Sequence, residues 1–391
     1  MPGVLIEKTF MTTKNSLNNH SYDLICFSHL RWDFVFQRPQ HLLSRFAKNH
    51  RVYFIEEPIF GDDGPRLEIS DREDRLHIAV PHLRHGSDID AVMNDLIDNF
   101  RQEQQIGEHV VWFYTPMMLP FADTLDPVAI VYDCMDELSM FKGAPPELLE
   151  REARLFERAD LVFTGGQSLY EAKRDKHISV HAFPSSIDVA HFARALTIDD
   201  KPADQKQIPH PRIGYCGVID ERTDIDLLAK IADLRSDWQF VMVGPVVKID
   251  EADLPRRNNI HYLGGKDYKD LPAYIGGWDV AMMPFALNDS TRFISPTKTP
   301  EYLAAGRPVV STPIRDVVRP YGEKGLVHIA STPKEFVNAI ETSMNEDVDG
   351  RRAKTADFLS TMSWDKTQSE MAKLIDEVIE NRAADSSAAH A

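Results

Sequence analysis

Twelve short apolar runs, separated by segments of amphipathic periodicity, constrain this 391-residue chain more than any other feature. The first half carries YDLICFS (22–28), RVYFIEE (51–57), LHIAV (76–80), HVVWFY (109–114), VAIVYD (128–133) and DLVFT (160–164). The second carries RIGYCG (212–217), QFVMVG (239–244), IHYLG (260–264), DVAMMPF (279–285), PVVS (308–311) and LVHIA (326–330). Most are apolar throughout rather than alternating, the pattern of strands covered on both faces. Helical periodicity fills the intervals at 40–49, 89–102, 147–159, 224–234, 269–276 and 333–345. Such alternation predicts parallel sheets with helices on both sides. The expected class is therefore α/β, with two Rossmann-like doubly wound domains over 21–193 and 211–362. A polar, proline-bearing stretch at 194–210 reads as the linker, and 363–382 as one long amphipathic helix. Disorder is expected over 1–20 and 383–391. Ligands of doubly wound folds bind outside the carboxyl ends of the strands, so two such sheets predict a cleft between the domains. A deep cleft suits a substrate with two distinct parts.

Charge and cysteine content narrow the function. The chain has 44 basic and 61 acidic residues, a formal net charge of −17, which argues against bulk nucleic-acid or anionic-membrane binding. No apolar run approaches the roughly 18 residues of a spanning helix. The first twenty residues lack the continuous apolar core of a secretory signal. Cys26, Cys134 and Cys216 each fall in or just after a strand run, and read as reduced core residues. A cytoplasmic location with at most peripheral membrane contact is the expectation. The first strand is followed by FSHLRW rather than G-x-G-x-x-G, which argues against a dinucleotide-dependent oxidoreductase.

The stretch ISPTKTPEYLAAGRPVVST (294–312) carries the most chemistry. Thr299 as N-cap, Pro300 at the first helical position and Gly306 at the end predict a short helix, with a strand at once behind it. Lys298 would place a full positive charge beside the free N–H groups of that helix start, where anions are attracted. Glu301, in the first turn, can accept from two vicinal hydroxyls. A diphosphate beside a ribose presents that pair of groups. The competing reading is a surface Lys298–Glu301 ion pair worth a few tenths of a kcal/mol.

Four pieces in order, GYCGVIDERTDIDLL (214–228), FVMVGPV (240–246), IHYLGGKDYKDLPAYIGGWDVAMMPF (260–285) and SPTKTPEYLAAGRPVVST (295–312), resemble the nucleotide-binding domain of GT-B glycosyltransferases, especially family 4 (group 1). WDFVFQRPQHLLSRFA (32–47), IVYDCMDELSMF (130–141), ERADLVFTGGQSLYE (157–171) and PSSIDVAHF (184–192) extend the resemblance over roughly 22–380. The resemblance implies that Lys298 binds the diphosphate, Glu301 the ribose hydroxyls, and Arg222 the diphosphate as a second cation. It places Ser295 and Thr297 in the same site, and Gly264, Gly265 and Lys266 beside the base. Gly217 would let the donor approach the backbone closely. Many members carry a second glutamate eight positions before the ribose binder. Here that position is Phe293, which leaves the donor sugar and the stereochemical course open.

The resemblance further implies transfer of a sugar from a UDP- or GDP-sugar to a glycan or lipid-linked acceptor, a step in bacterial surface-polymer synthesis. As the C1–O bond breaks, the diphosphate gains charge that Lys298 and Arg222 would stabilise. The carboxylate pairs in DID at 88–90 and 224–226 are weak metal signals, and the second reads as a helix cap; no metal or cofactor is expected beyond the donor. A base for the acceptor hydroxyl should come from the first domain. Asp133 and Asp136 are the candidates, with Asp136 preferred as facing the acceptor and Asp133 as structural. Arg31, Trp32, Gln37, Arg38 and His41 could line the acceptor pocket, whereas Trp364 reads as core. A non-hydrolysing sugar-nucleotide epimerase and a non-catalytic sugar-nucleotide binding protein are the alternatives on the same architecture.

Overall fold

The computed structural model describes residues 21–199 and 201–389; the segment 1–20 lies outside the described residues. In the first half, nine strands form one sheet: β1 (Asp23–Phe27), β2 (Val52–Ile55), β3 (Ile59–Gly61), β4 (Arg66–Glu73), β5 (Leu76–Arg84), β6 (His109–Phe113), β7 (Ala129–Cys134), β8 (Leu161–Thr164) and β9 (Val180–Ala182). Their order is β3-β5-β2-β1-β6-β7-β8-β9, and every pair is parallel except β4 with β5. Helices α1 (Arg38–Phe46), α2 (Ile89–Glu103), α3 (Leu148–Arg158) and α4 (Gln167–Lys173) belong to this half. β1, β2, β6 and β7 are buried at every position, which is why they read as unbroken apolar runs.

The second sheet has the order β12-β11-β10-β13-β14-β15, all parallel. Its strands are β10 (Arg212–Cys216), β11 (Gln239–Val243), β12 (Ile260–Tyr262), β13 (Val280–Met283), β14 (Val309–Ser311) and β15 (His328–Ile329). Strand order reverses between β10 and β13, the switch point at which doubly wound folds bind ligands. The helices from here on are α5 (Val189–Ala193), α6 (Ala203–Lys206), α7 (Ile225–Leu234), α8 (Leu271–Ile275), α9 (Lys298–Ala304), the single turn α10 (Arg315–Val317), α11 (Pro333–Met344), α12 (Val348–Leu359) and α13 (Trp364–Ala389). Gly214 in β10 makes room for Trp278: a Cβ there would lie 1.8 Å from the indole.

Several elements differ from the sequence expectation. β4 (RLEISDRE) is polar and mostly exposed, held by backbone pairing to β5 at the sheet edge, so apolar periodicity does not reveal it. α12 buries only Thr355 and Leu359 and has no apolar stripe to read; the Asp347 carboxylate caps it, accepting from Asp349 N and Gly350 N, each at 3.1 Å. Within the expected linker, α6 is packed against the second half. From α6, the buried Gln205 donates to Tyr274 O (2.9 Å) and accepts from Trp278 Nε1 (2.8 Å). Over 383–389 helix stands where disorder is expected, as α13 runs on to Ala389 through a stretch with several alanines, and the last two residues of the expected tail lie outside the described residues.

α13 returns to the first half. Trp364, Met371, Ile375 and Ile379 join Phe46, Trp112 and Leu43 in one core cluster, and Arg382 reaches Asp160 at 2.6 Å. Trp364 is 1% exposed and stacks on His41 with ring centroids 4.7 Å apart. Replacing Trp364 with Ala is expected to lower unfolding free energy by about 3–5 kcal/mol, the usual cost of deleting a buried aromatic. Urea unfolding of the full chain measures it.

Candidate active site

The loops at the carboxyl ends of both sheets line one cleft. From the first half come residues after β1, β6 and β7, and from the second those after β10, β11, β12 and β13. Lys298 stands on the second-half wall as the first residue of α9. The helix cap is Thr297 rather than Thr299, because Thr299 is fully buried with its hydroxyl against Met283 Sδ (3.6 Å).

Lys298 is held by carbon. Gly217, at φ +151°, leaves a notch that its aliphatic stem fills; a Cβ there would lie 2.0 Å from Lys298 Cε. The ammonium sits 5.7 Å from the Tyr215 ring centroid and 5.9 Å from that of Phe285. Among the described residues no carboxylate lies within 4.0 Å of it, so Lys298 and Glu301 are not an ion pair. Glu301 is partly buried. Burial pushes its carboxyl up to about 7, while Lys298 and a bond from the Thr297 side chain pull the other way.

Arg222 reaches the same cavity as Lys298, Ser295, Thr297 and Asp136. Its guanidinium is already bound to Asp220, with Nη2–Oδ2 at 2.6 Å and Nε–Oδ1 at 3.1 Å. Its charge is therefore partly neutralised. Gly264 adopts φ +69° and its carbonyl accepts from Gly244 N (2.9 Å). Gly265 and Lys266 border a second part of the cleft with Gly217, Gly244 and Pro245. The Lys266 ammonium itself turns away, to Asp204 of α6 at 2.7 Å.

On the first-half wall the expectations divide. Asp136 lines the cleft opposite Arg222, and burial raises its pKa while Arg222 opposes the shift. Asp133 is fully buried, and its carboxylate is chelated by Arg38 through Nε (3.1 and 3.0 Å) and Nη2 (2.8 Å). It cannot meet an acceptor hydroxyl, which corrects its place among the candidate bases. Arg38 borders the cavity beside Gln37 but is 3% exposed and also donates to Phe183 O (2.7 Å), so its guanidinium is engaged chiefly by the fold. His41 is buried between Trp364 and Phe36, and burial holds its imidazole down at about 3; it packs rather than binds. Arg31 is drawn away to Glu56 Oε2 (2.8 Å) and Glu57 O (2.7 Å). Gln37 does line the cavity with Asp136. Trp32 faces the part of the cleft bordered by Gly217 and Gly265, not the Asp136 side.

Other cleft residues had no motif to announce them. Phe141 comes from the first half, yet two second-half cations lie over its ring, Arg222 at 5.5 Å and Lys248 at 5.1 Å. Lys248 has φ +62°, an uncommon conformation for a side chain of that size. His29, just past β1, lines the cleft beside Glu57 and Lys248. Its Nδ1 is buried without a partner, and burial, assisted by Lys248, lowers its pKa to about 4. The one signal that would have found these residues is position, since each lies in a loop directly following a strand. Phe293, eight positions before Glu301, packs against the first-half core. No three His, Cys, Asp or Glu side chains among the described residues gather as metal ligands do. No helix among them is long and apolar enough to cross a membrane.

Comparison with known proteins agrees with this geometry. Residues 210–346 match the family model described as Glycosyl transferases group 1. A Bacillus subtilis (strain 168) protein described as a teichuronic acid biosynthesis glycosyltransferase, TuaH, is 26% identical over 242 residues, which span 56% of this chain and 59% of that protein. Sucrose-phosphate synthase from Thermosynechococcus elongatus superposes with a TM-score of 0.67 at 12% identity, covering 92% of this chain and 100% of its own. A UDP-forming α,α-trehalose-phosphate synthase from Burkholderia xenovorans gives 0.66 at 11%, covering 91% and 100%. WaaG, a glycosyltransferase involved in lipopolysaccharide biosynthesis, gives 0.59 at 13%, covering 90% and 99%. The structural likenesses establish the GT-B architecture.

The two aspartates should separate on mutation. Asp133→Ala leaves the Arg38 guanidinium buried and unpaired, and is expected to cost about 3–5 kcal/mol of stability. Asp136→Ala at the cleft surface is expected to cost under about 1 kcal/mol. Parallel urea titrations of both variants and the parent chain test the pair.

Proposed function

We propose that the protein is a glycosyltransferase, because residues 210–346, which supply Lys298 and Glu301, match the model described as Glycosyl transferases group 1 and the chain has the GT-B architecture. It takes a sugar from a UDP- or GDP-linked donor and passes it to a glycan or lipid-linked acceptor in polysaccharide synthesis. The observation that carries this reading is Lys298, an ammonium with no described carboxylate within 4.0 Å, on the wall between the carboxyl ends of two sheets. The relatives described for teichuronic acid and lipopolysaccharide biosynthesis favour a surface polymer as product. Such a step belongs at the cytoplasmic face of the membrane.

In this reading Lys298 neutralises the charge that the diphosphate gains as the C1–O bond to it breaks. Arg222 adds a weaker contribution, because Asp220 already holds it. Glu301 accepts from the ribose hydroxyls, and the backbone around Gly264 and Gly265 borders the base. Ser295 and Thr297 supply polar contacts beside the diphosphate. The acceptor enters on the first-half side, where Gln37 and Asp136 face the cavity. Its oxygen forms the new bond to C1, its proton passes to Asp136, and the diphosphate leaves with the bonding electrons. Burial strengthens Asp136 as a proton acceptor.

Thermal-shift screening of UDP, GDP, ADP and TDP tests the donor site. At a hundred times its dissociation constant a nucleotide should stabilise the protein by about 2.7 kcal/mol. Lys298→Ala should remove most of that gain. If no nucleotide stabilises the parent chain, the proposal fails.

Glu301 adds a pH dependence. Its folded pKa lies above that of the unfolded chain, so the free protein loses stability as pH rises from about 4.5 to about 7. Ribose hydroxyls donating to it favour the ionised form, so binding expels a proton below about pH 7. Nucleotide affinity should therefore weaken by about tenfold between pH 8 and pH 6 beyond any change seen in Glu301→Gln. Calorimetric titration of both proteins checks the difference, which cancels the titration of the nucleotide's own phosphate.

A further inference from the structure

A cavity of about 310 Å³ lies beside the one that Lys298 lines. Gln37, Met135, Asp136, Val218 and Arg222 border both, so the two adjoin at Asp136. The first is walled largely by polar groups, the second mainly by carbon. Leu30 and Val35 come from the loop after β1, and Met117 from the turn after β6. Leu138 and Phe141 follow β7, Leu148 opens α3, and Val247, after β11, adds a wall from the second half.

These side chains are not sealed as the core is. Phe27 and Phe113, at the ends of β1 and β6, are fully buried. Leu30, Val35, Met117, Met135 and Leu138 are only half-buried, and Phe34 on the same wall is 52% exposed. Apolar surface left open in a concave space is characteristic of a ligand site. Two of the side chains are methionines, whose flexible thioethers adapt to an apolar guest.

The polar members of the wall do not change its character. Asp220 holds Arg222, and the Thr115 hydroxyl accepts from Met117 N (3.2 Å). Glu57, Lys142 and Lys248 are exposed to solvent. Burial keeps the His29 imidazole uncharged at neutral pH. Gln37 and Asp136 stand where the two cavities adjoin. A glycan filling this space would bring hydroxyls out of water against carbon, which is unfavourable for each one left without a partner. An alkyl group would gain from the same transfer.

We infer that the acceptor is a sugar bearing an alkyl chain, whose first carbons lie in this cavity while its hydroxyl meets Asp136. This selects a lipid-linked acceptor over a free glycan, and it rests on the glycosyltransferase reading above. Because the cavity adjoins Asp136, the chain is joined close to the reacting sugar. A long glycan between lipid and hydroxyl would leave the apolar wall uncovered.

Methyl, butyl and hexyl β-D-glucopyranosides, with maltose as the free glycan, are titrated calorimetrically into the full chain. Affinity is expected to rise about fourfold for each added methylene. Maltose should bind no more tightly than the methyl glucoside. Ala144→Trp sets an indole on the cavity wall, and should weaken hexyl glucoside by about tenfold or more. Leu138→Gln keeps a similar volume but makes the wall polar, and should flatten the dependence on chain length. Urea midpoints near the parent's show that each variant is folded. Equal affinity for the methyl and hexyl glucosides overturns the inference. A hexyl advantage that survives a folded variant of either kind places the chain elsewhere and also overturns it. So does maltose binding more tightly than hexyl glucoside and weakening in Ala144→Trp, which assigns the cavity to a free glycan. In each of these cases stabilisation of the parent by UDP or GDP leaves the donor site standing. A parent chain that no nucleotide stabilises removes the transferase function, and the acceptor role with it, whatever the alkyl series shows.

Discussion

A missing methyl group sets the geometry of the second-half wall. Without a Cβ at Gly217, the Lys298 stem lies directly against the backbone that leaves β10, with its ammonium near the Tyr215 and Phe285 rings. Ring faces attract a cation without cancelling its charge as a carboxylate would. An anion entering the cleft therefore meets a charge that is positioned but not neutralised. Arg222 provides the contrast, because Asp220 binds it closely and leaves less charge for a ligand. Of these two cations Lys298 is the less neutralised.

The opposite wall is made rigid by a different means. Arg38 and Asp133 are both sealed from solvent, and their pair ties the start of α1 to the end of β7. Such a pair adds little net stability over apolar packing, yet losing one partner is costly, so it fixes the wall more than it strengthens it. It sets the backbone immediately before Asp136, which does face the cavity. Contacts across the molecule then hold the walls in register. Ser185 Oγ donates to Ser295 O (2.6 Å), and Ser168 N donates to Asp316 Oδ1 (3.0 Å). Phe141 sits beneath Arg222 and Lys248, and Phe36 stacks on Tyr268.

The two parallel sheets were legible because strands buried on both faces leave unbroken apolar runs, as in β1 and β7. β4 was not, because an exposed edge strand is stabilised by backbone bonds that leave no mark on side-chain pattern. Lys298 and Glu301 were visible because they share one short helix with a proline and a terminal glycine. Arg31, Arg38 and His41 misled for a related reason. Their residue types suit sugar binding, but whether a side chain is free depends on distant partners such as Asp133, Glu56 and Trp364, which local spacing does not reveal. Tyr268 and Phe141 were hidden because the rings and cations around them come from the other half of the chain.

Phe293 shows how one position can trade between these demands. An acid at this position, which the family resemblance implies for many members, would add a second negative charge to the segment that carries Glu301. Here an apolar ring occupies the position and packs against the first-half core. The exchange leaves Glu301 as the acid of α9 nearest Lys298, and burial already makes that acid reluctant to ionise. Without a second carboxylate to counter it, Lys298 faces the cleft with more of its charge available. The ring, meanwhile, adds an apolar contact between the halves where the acid would have needed water or a hydroxyl. The second-half wall thus presents a lysine with no described carboxylate within 4.0 Å and a half-buried acid on the same helix, with aromatic packing at Phe293 in place of further charge.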